Sequence, residues 1–533
     1  MTPSERLLLS GNEAIAHAAR DAGVWVGTGY PGTPSSEILE TLSEIGGRAQ
    51  WAPNEKVALE VGIGVAYGKR RTLVTMKHVG VNVAADPFFA VAHTGVDGGL
   101  VIVSADDPGM ASSQNEQDNR NYAAFAGVPM LEPSDSQEAY DLTARAFELS
   151  EQWNTPVMLR VSTRICHSRT VVRPCEFEQP DVEPSFDRDI SRRVMIPAFA
   201  RPAHKRLREK LHEIKEWNEA NGPNRVIDGD SSLGIITSGI SYVHAREAAP
   251  DARFLKLSFT YPLPIEQIRE FAESVDRCVV IEEGDPYLVD TLRAEGIDVE
   301  GKPEEFRFGE LNVGRVRSIL SGEKDKQESG ARPTPPRLCP GCPHRESFQV
   351  LDELDCIVTG DIGCYTLGAL APYESMDTCL CMGGSVGVGL GLRHSLPEDE
   401  ARRVVSVIGD STFVHSGLTG MAEMVYNPPP TGHIIMVLDN RTTAMTGMQE
   451  HPGTGRKLDG TPTEELSIED VARSMGVTDV HVIDPHKDTD GLRETLKEAM
   501  QNDEPTLIVA RRPCLLALKK QKKREKEAVA SCE

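Results

Sequence analysis

Aromatic residues make up only 5% of the 533-residue chain. Beside 46 glycines and 35 prolines, that scarcity disfavours an all-β binding module and suits an α/β enzyme with tight strand–helix turns. No run of 18 apolar residues occurs, so the sequence offers no bilayer-spanning helix and no membrane partner. Positive charge is in short supply: 57 Lys and Arg stand against 81 Asp and Glu, a formal net charge of −24. Such a balance argues against nucleic acid and against anionic membrane surfaces as main partners. The segment Met1–Ser10 carries Glu5 and Arg6 and lacks the apolar core of a secretion signal, so the expected compartment is the cytoplasm. Eleven cysteines, an odd number in a large chain, do not make a disulfide framework in a reducing compartment. Six of them crowd between Cys339 and Cys381, and a local group of thiols reads as a metal or redox site.

Short apolar runs separated by segments of helical spacing divide the chain into three α/β blocks. In the first, Val24–Thr28, Leu73–Met76, Leu100–Ser104 and Val157–Val161 read as strands, and Ala14–Ala22 and Ser136–Glu151 as helices. The second shows strands at Leu233–Thr237, Phe254–Leu257 and Cys278–Glu282. The third shows them at Ile357–Thr359, Val404–Ile408, Ile434–Leu438, Val480–Ile483 and Thr506–Ala510. Strands alternating with helices predict mostly parallel sheets covered on both faces, with ligands at the carboxyl ends of strands. The expected boundaries are 1–175 for the first block, 176–230 for a connector with a helix near Lys205–Glu219, and 231–320 for the second block. A charged and Pro-rich linker over 321–337, the third block over 338–515 and a tail over 516–533 complete the order. The tail is dominated by charge and reads as a solvated helix or a disordered end.

The sharpest chemical signal lies in the third block. The strand Val404–Ile408 ends in Gly409-Asp410-Ser411, and thirty positions after Asp410 comes Asn440, just past the strand Ile434–Leu438. Two strand ends thus present oxygen ligands at one sheet edge. A carboxylate, an amide oxygen and the backbone carbonyl of Thr442 suit Mg²⁺, which takes hard oxygen donors together with phosphate oxygens. Gly409 would let the backbone approach a diphosphate. This spacing resembles the magnesium–diphosphate motif of thiamine diphosphate enzymes. Those enzymes pair the diphosphate domain with a second α/β domain for the aminopyrimidine. There a buried carboxyl group hydrogen-bonds the ring and promotes loss of the thiazolium C2 proton. Glu55 and Glu60, on a helix beginning near Asn54, are both candidates, although the residues alone favour a solvated helix carboxylate for each. A third constellation is Cys339-Pro-Gly-Cys342 with Cys364 and Cys514. A C-x2-C turn points two thiolates at one metal and leaves zinc and iron–sulfur both open, with His344, Cys379 and Cys381 as further possible zinc ligands.

Several longer motifs carry a more specific resemblance. They include Gly11-Asn-Glu-Ala-Ile15, Gly29-Tyr-Pro-Gly-Thr-Pro-Ser-Ser36, Asn54-Glu-Lys-Val-Ala-Leu-Glu60 and Ser112-Ser-Gln-Asn-Glu-Gln-Asp-Asn-Arg120. Cys339-Pro-Gly-Cys-Pro-His-Arg345, Gly360-Asp-Ile-Gly-Cys364 and Asp439-Asn-Arg-Thr-Thr-Ala-Met-Thr-Gly447 follow in order. In them the chain resembles the α subunits of indolepyruvate ferredoxin oxidoreductases, within the 2-oxoacid:ferredoxin oxidoreductase family. The resemblance implies a pyrimidine-binding domain, a transketolase-C-terminal-like domain and a diphosphate-binding domain. It implies Glu55 rather than Glu60 as the activating carboxyl, and Thr33 at the substrate end. It implies Gly409, Asp410, Ser411, Asn440, Thr442 and Thr446 around thiamine diphosphate and Mg²⁺. Cys339, Cys342, Cys364 and Cys514 would hold one [4Fe–4S] cluster. The activity implied is oxidative decarboxylation of aryl 2-oxoacids such as indolepyruvate with coenzyme A. The partners implied are a β subunit in a hetero-oligomer such as α2β2, and ferredoxin as acceptor. Most α subunits of the family continue into a ferredoxin-like domain with further cysteine runs. Here only Cys532 lies beyond Cys514, so those clusters are expected to be lacking or to come from another subunit.

Overall fold

The computed structural model describes residues 6–175, 177, 182–325 and 337–530, the side chains of 524–530 excepted. Most of the expected linker, and Cys532, lie outside the described residues. The chain divides into two compact units, 1–330 and 331–533. Both are α/β.

The first unit holds a seven-stranded sheet in the order Phe259–Tyr261, Met130–Leu131, Val157–Ser162, Leu100–Asp106, Thr72–Lys77, Val26–Gly29, Ala49–Trp51. All neighbours are parallel except the first pair. The central strands are buried along their whole length, as a sheet covered by helices on both faces requires. Local chemistry fixes the helix starts. Ser10 and Glu13 form a reciprocal capping box on Gly11–Asp21. Asn54 accepts from Val57 N at 2.9 Å to open Glu55–Tyr67, and Asp135 accepts from Glu138 N at 2.9 Å to open Ser136–Trp153.

A four-stranded sheet follows in the order Cys278–Ile281, Asp230–Ser238, Ala252–Leu257, Arg225–Ile227. The expected connector and second block are less separate than their sequence suggests. The helix Pro197–Asn221 sends Leu207 and Leu211 into the core beneath the seven-stranded sheet, and Phe259–Tyr261 joins that sheet's edge. A buried ion pair adds to the join: Arg120 of the first block contacts Glu282 of the second at 2.7 Å. Removing one partner from such a pair typically costs about 3–5 kcal/mol, because the other is left as a buried unpaired charge.

The second unit is built on a six-stranded, wholly parallel sheet in the order Thr378–Cys379, Ile357–Gly360, Val404–Gly409, Ile434–Asp439, Thr506–Arg511, Asp479–Ile483. The charged tail is helical over Leu515–Ala530. Among the described residues no helix is long and apolar enough to cross a membrane.

Candidate functional site

Strand order locates the crevices. In the six-stranded sheet, Ile357–Gly360 connects to one side and Val404–Gly409 to the other. The ends of these two neighbours therefore form a topological switch point, where ligands of open α/β sheets bind. Asp361 follows one strand and Asp410 the other. Asp410 is buried, and His451 Nε2 lies 3.1 Å from its Oδ2. Thr443 Oγ1 donates to Ser411 Oγ at 2.7 Å. Three residues past Asp410, the chain passes through a π-helical turn, Phe413–Gly417, a distortion frequent at functional sites.

The next strand end brings Asn440 and Thr442 to the same edge. Asn440 Oδ1 accepts from Thr442 N at 3.1 Å, and its Nδ2 lies 3.2 Å from His344 Nε2. Burial pushes the pKa of His344 down to about 4, so the ring is neutral and its Nε2 accepts from the amide. His344 is therefore a hydrogen-bond partner of Asn440. Thr442 Oγ1 donates to Gln449 O at 3.2 Å, and Thr446 Oγ1 to Gln449 Oε1 at 2.6 Å, which ties the loop closed over the strand end. Asp439 is pushed up to about 6 by burial and by the neighbouring Asp410. A Cβ on Gly409 would lie 2.7 Å from Cε1 of Tyr365, so the glycine also makes room for a ring of its own chain.

The four thiols gather at this end of the sheet. Cys514 N donates to Asn440 O at 2.9 Å. The Cys339–Cys342 turn packs on the residue after Cys514, since a Cβ on Gly341 would lie 2.9 Å from Leu515 Cδ1. Cys364 opens the short helix Cys364–Ala369 that follows Asp361. The pKa of Cys342 is raised to about 12 and that of Cys364 to about 11, first by burial and then by the other thiols of the group. Among the described residues, no three His, Cys, Asp or Glu side chains close on a common metal position. Cys379 sits at another strand end, influenced by Asp361 and Thr366.

In the first unit the switch point lies between Val26–Gly29 and Thr72–Lys77. The loop bearing Thr33 leaves the first of these. It is folded by Ser36 Oγ, which accepts from Gly32 N at 2.9 Å, and by Asn12 Nδ2, which donates to Pro34 O at 2.7 Å. Thr33 itself is half-buried. The structure separates the two helix glutamates that sequence could not. Glu55 is 4% exposed and packs against Gly80, where a Cβ would lie 2.7 Å from Glu55 Oε1. Glu60 is on the surface, paired with Lys56. Burial also lowers the pKa of Lys77 and His78 at the second strand end.

Sequence reasoning did not single out His451 or Asp361. Asp361 accepts from Gly383 N at 3.0 Å and Ser385 N at 3.2 Å, capping the helix Gly384–Ser395. Its position directly after a buried strand was the available signal. His451 follows no strand, and nothing in its neighbourhood marked it.

Comparison with known proteins accords with this geometry. The family model for the thiamine diphosphate-binding region of pyruvate flavodoxin/ferredoxin oxidoreductases matches residues 17–208. That for the C-terminal TPP-binding domain of thiamine pyrophosphate enzymes matches 361–510. The indolepyruvate oxidoreductase subunit IorA of Archaeoglobus fulgidus is 40% identical over 98% of this chain and 89% of its own length. That of Methanothermobacter marburgensis is 42% identical over 96% and 87%. The chain belongs to the indolepyruvate oxidoreductase IorA family. It is thus a thiamine diphosphate-dependent enzyme of the 2-oxoacid:ferredoxin oxidoreductase class. A 2-oxoglutarate:ferredoxin oxidoreductase from Magnetococcus marinus shares the fold with a TM-score of 0.52, over 60% of this chain and 66% of its own, at 16% identity. In the family's terms, both matched regions carry one of the two switch points described above.

Proposed function

We propose that this IorA-family chain is the thiamine-binding subunit of an enzyme that oxidatively decarboxylates aryl 2-oxoacids, indolepyruvate first among them. Coenzyme A takes the acyl group. The balance is RCOCOO⁻ + CoASH → RCO–SCoA + CO₂ + 2e⁻ + H⁺. The observation that carries the reading is the convergence, at one strand-end edge of the second unit, of Asp410, Asn440 and Thr442 with Cys339, Cys342, Cys364 and Cys514. Hard oxygen donors for a divalent cation beside soft thiols for iron are the pairing this chemistry needs.

The donor set fits the groups assigned to it. Asp410, Asn440 Oδ1 and the Thr442 carbonyl would hold Mg²⁺. Gly409, Ser411 and Thr446 would line the diphosphate. The four thiols would hold one [4Fe–4S] cluster. Bound thiamine diphosphate supplies an electron sink for the carboxylate carbon bond. The chain's part is to hold and move protons. Glu55, buried in the first unit, would share a proton with the aminopyrimidine, and Thr33, on the loop beyond Gly29, would face the substrate end. Region 231–320 is the transketolase-C-terminal-like domain in this reading. A β subunit completes a hetero-oligomer such as α2β2, ferredoxin receives the electrons, and the complex works in the cytoplasm. The relatives' own designation as subunits supports a partner chain.

The native complex, prepared anaerobically, tests this with indolepyruvate, phenylpyruvate and pyruvate, coenzyme A and a viologen dye. Dye reduction with the aryl substrates is expected, with about four irons and four acid-labile sulfides per chain. Preference for pyruvate, or zinc without sulfide, would overturn the reading.

A further inference from the structure

We propose that the face of the helix Leu515–Ala530 bearing Lys519, Lys522 and Lys523 is a docking surface for an acidic one-electron carrier protein. The proposal rests on the assignment of the four thiols as cluster ligands. In a chain of net charge −24 this helix carries six basic and two acidic residues, so it opposes the field of the rest of the molecule. It also starts at the thiols. Leu518 N donates to Cys514 O at 3.0 Å, making Cys514 the first acceptor of the helix. The Cys339–Cys342 turn packs against Leu515, and Cys339 is itself exposed. A rise of about 1.5 Å per residue sets Lys519 to Lys523 within about 14 Å of Cys514 along the axis.

The surface has the make-up of a transient electrostatic interface. Lys519, Lys522 and Lys523 stand three and four residues apart, on one helix face, and all three are exposed. Leu515 and Leu516, 40% and 46% exposed, lie one turn earlier, giving an apolar patch bordered by lysines. Lys520 points elsewhere: its Nζ donates to Gly447 O at 2.7 Å, and this bond seats the helix on the loop that carries Thr446. A solvated surface helix needs neither the seat nor the apolar patch. Opposite charge at such a patch steers encounter and sets orientation more than it adds affinity. That is what fast exchange of a diffusing carrier, which takes one electron at each encounter, requires.

The test uses the native complex with K519E/K522E/K523E in this chain and a strongly acidic bacterial ferredoxin as probe. At low ionic strength the KM for ferredoxin should rise about tenfold, and the difference from wild type should collapse in high salt. Reduction of methyl viologen should persist, since a dication is not repelled by the reversed charge. K519Q/K522Q/K523Q should give an intermediate KM. Calorimetric binding of ferredoxin reads the surface without turnover, so failure of the proposed activity stays distinguishable from failure of the docking site. Equal ferredoxin affinity in all three proteins would overturn the proposal. So would variants that keep ferredoxin affinity and instead lose binding to phosphatidylserine vesicles, which would make the helix a membrane contact.

Discussion

Gly80→Ala is the most informative single substitution the structure suggests, because it reaches Glu55 without altering it. Gly80 lies in the helix His78–Val83, where alanine is favoured over glycine by about 0.5–1 kcal/mol. An added Cβ would sit 2.7 Å from Cγ and Oε1 of Glu55 and 2.9 Å from its Cδ. Carbon–carbon contact is optimal at about 3.5–4.0 Å, so the carboxyl group must retreat by roughly 1 Å. Glu55 is 4% exposed and cannot swing into solvent, so the overpacking adds about 1–3 kcal/mol of cost. The backbone gain offsets part of that, leaving a net destabilisation of about 0–2.5 kcal/mol, which a folded enzyme tolerates. Misplacing a reacting group by about 1 Å can cost about 10²-fold in rate. The expected result is a folded protein that keeps thiamine diphosphate and exchanges its C2 proton for deuterium about a hundredfold more slowly, with Glu55→Gln slower still. Glu60→Gln, on the surface, is the control. Wild-type exchange in Gly80→Ala would refute the role of Glu55.

Asp410→Ala should lose thiamine diphosphate at ordinary magnesium concentrations, and a chelator should release it from the wild type. Full occupancy measured by fluorescence after gel filtration, in either case, would remove the magnesium assignment. In the metal-free chain, Cys342, pushed up to about 12, should alkylate with iodoacetamide at pH 8 about a thousandfold more slowly than a thiol at 9, because only the thiolate reacts. Peptide mapping that finds it labelled at the ordinary rate would show the turn to be open. The paired bonds from Arg511 hold Glu469 at about 2, below its ordinary 4.5. A depressed carboxylate stabilises the fold above the unfolded value and loses that contribution as pH falls toward the folded one. After allowance for solvent screening, Glu469→Gln should therefore cost about 1–2 kcal/mol at neutral pH, with the gap in urea unfolding closing between 4.5 and 2. A gap independent of pH would contradict the pairing.

What sequence could show followed from length and from ends. Strands such as Val404–Gly409 are buried along their whole length, so they stand out as unbroken apolar runs, and the residues after them are where α/β chemistry sits. Ala49–Trp51, Met130–Leu131 and Phe259–Tyr261 are two or three residues long, too short to show a period. With Phe259–Tyr261 hidden, the pairing of the second block with the first sheet was hidden too. Glu55 and Glu60 look alike in sequence because burial depends on what the next strand end brings over the helix, here Gly80. The contact between Gly409 and Tyr365 was hidden for the same reason: Tyr365 reaches it across the sheet order, from the neighbouring strand end.

The crevice of the second unit also bears on why a diphosphate placed there, as proposed, would need a cation. A helix N-terminus is the usual anion site of an α/β fold, and here one stands ready at Gly384–Ser395. Asp361 already fills it, accepting from Gly383 N and Ser385 N. Asp410 adds a second carboxylate at the same switch point, and Asp439 a third beside it, close enough for Asp410 to raise its pKa. Arg511 answers the charge of Asp439, and His451 bonds Asp410, but the backbone amides of the helix are spent on the protein's own carboxylate. A ligand with two phosphate groups entering such a site meets more negative charge than free donors. A divalent ion held by Asp410 and Asn440 would reverse that balance at one point. On the proposed reading Asp361 fixes the strand end and the helix, and a metal, rather than the helix dipole, would select the diphosphate.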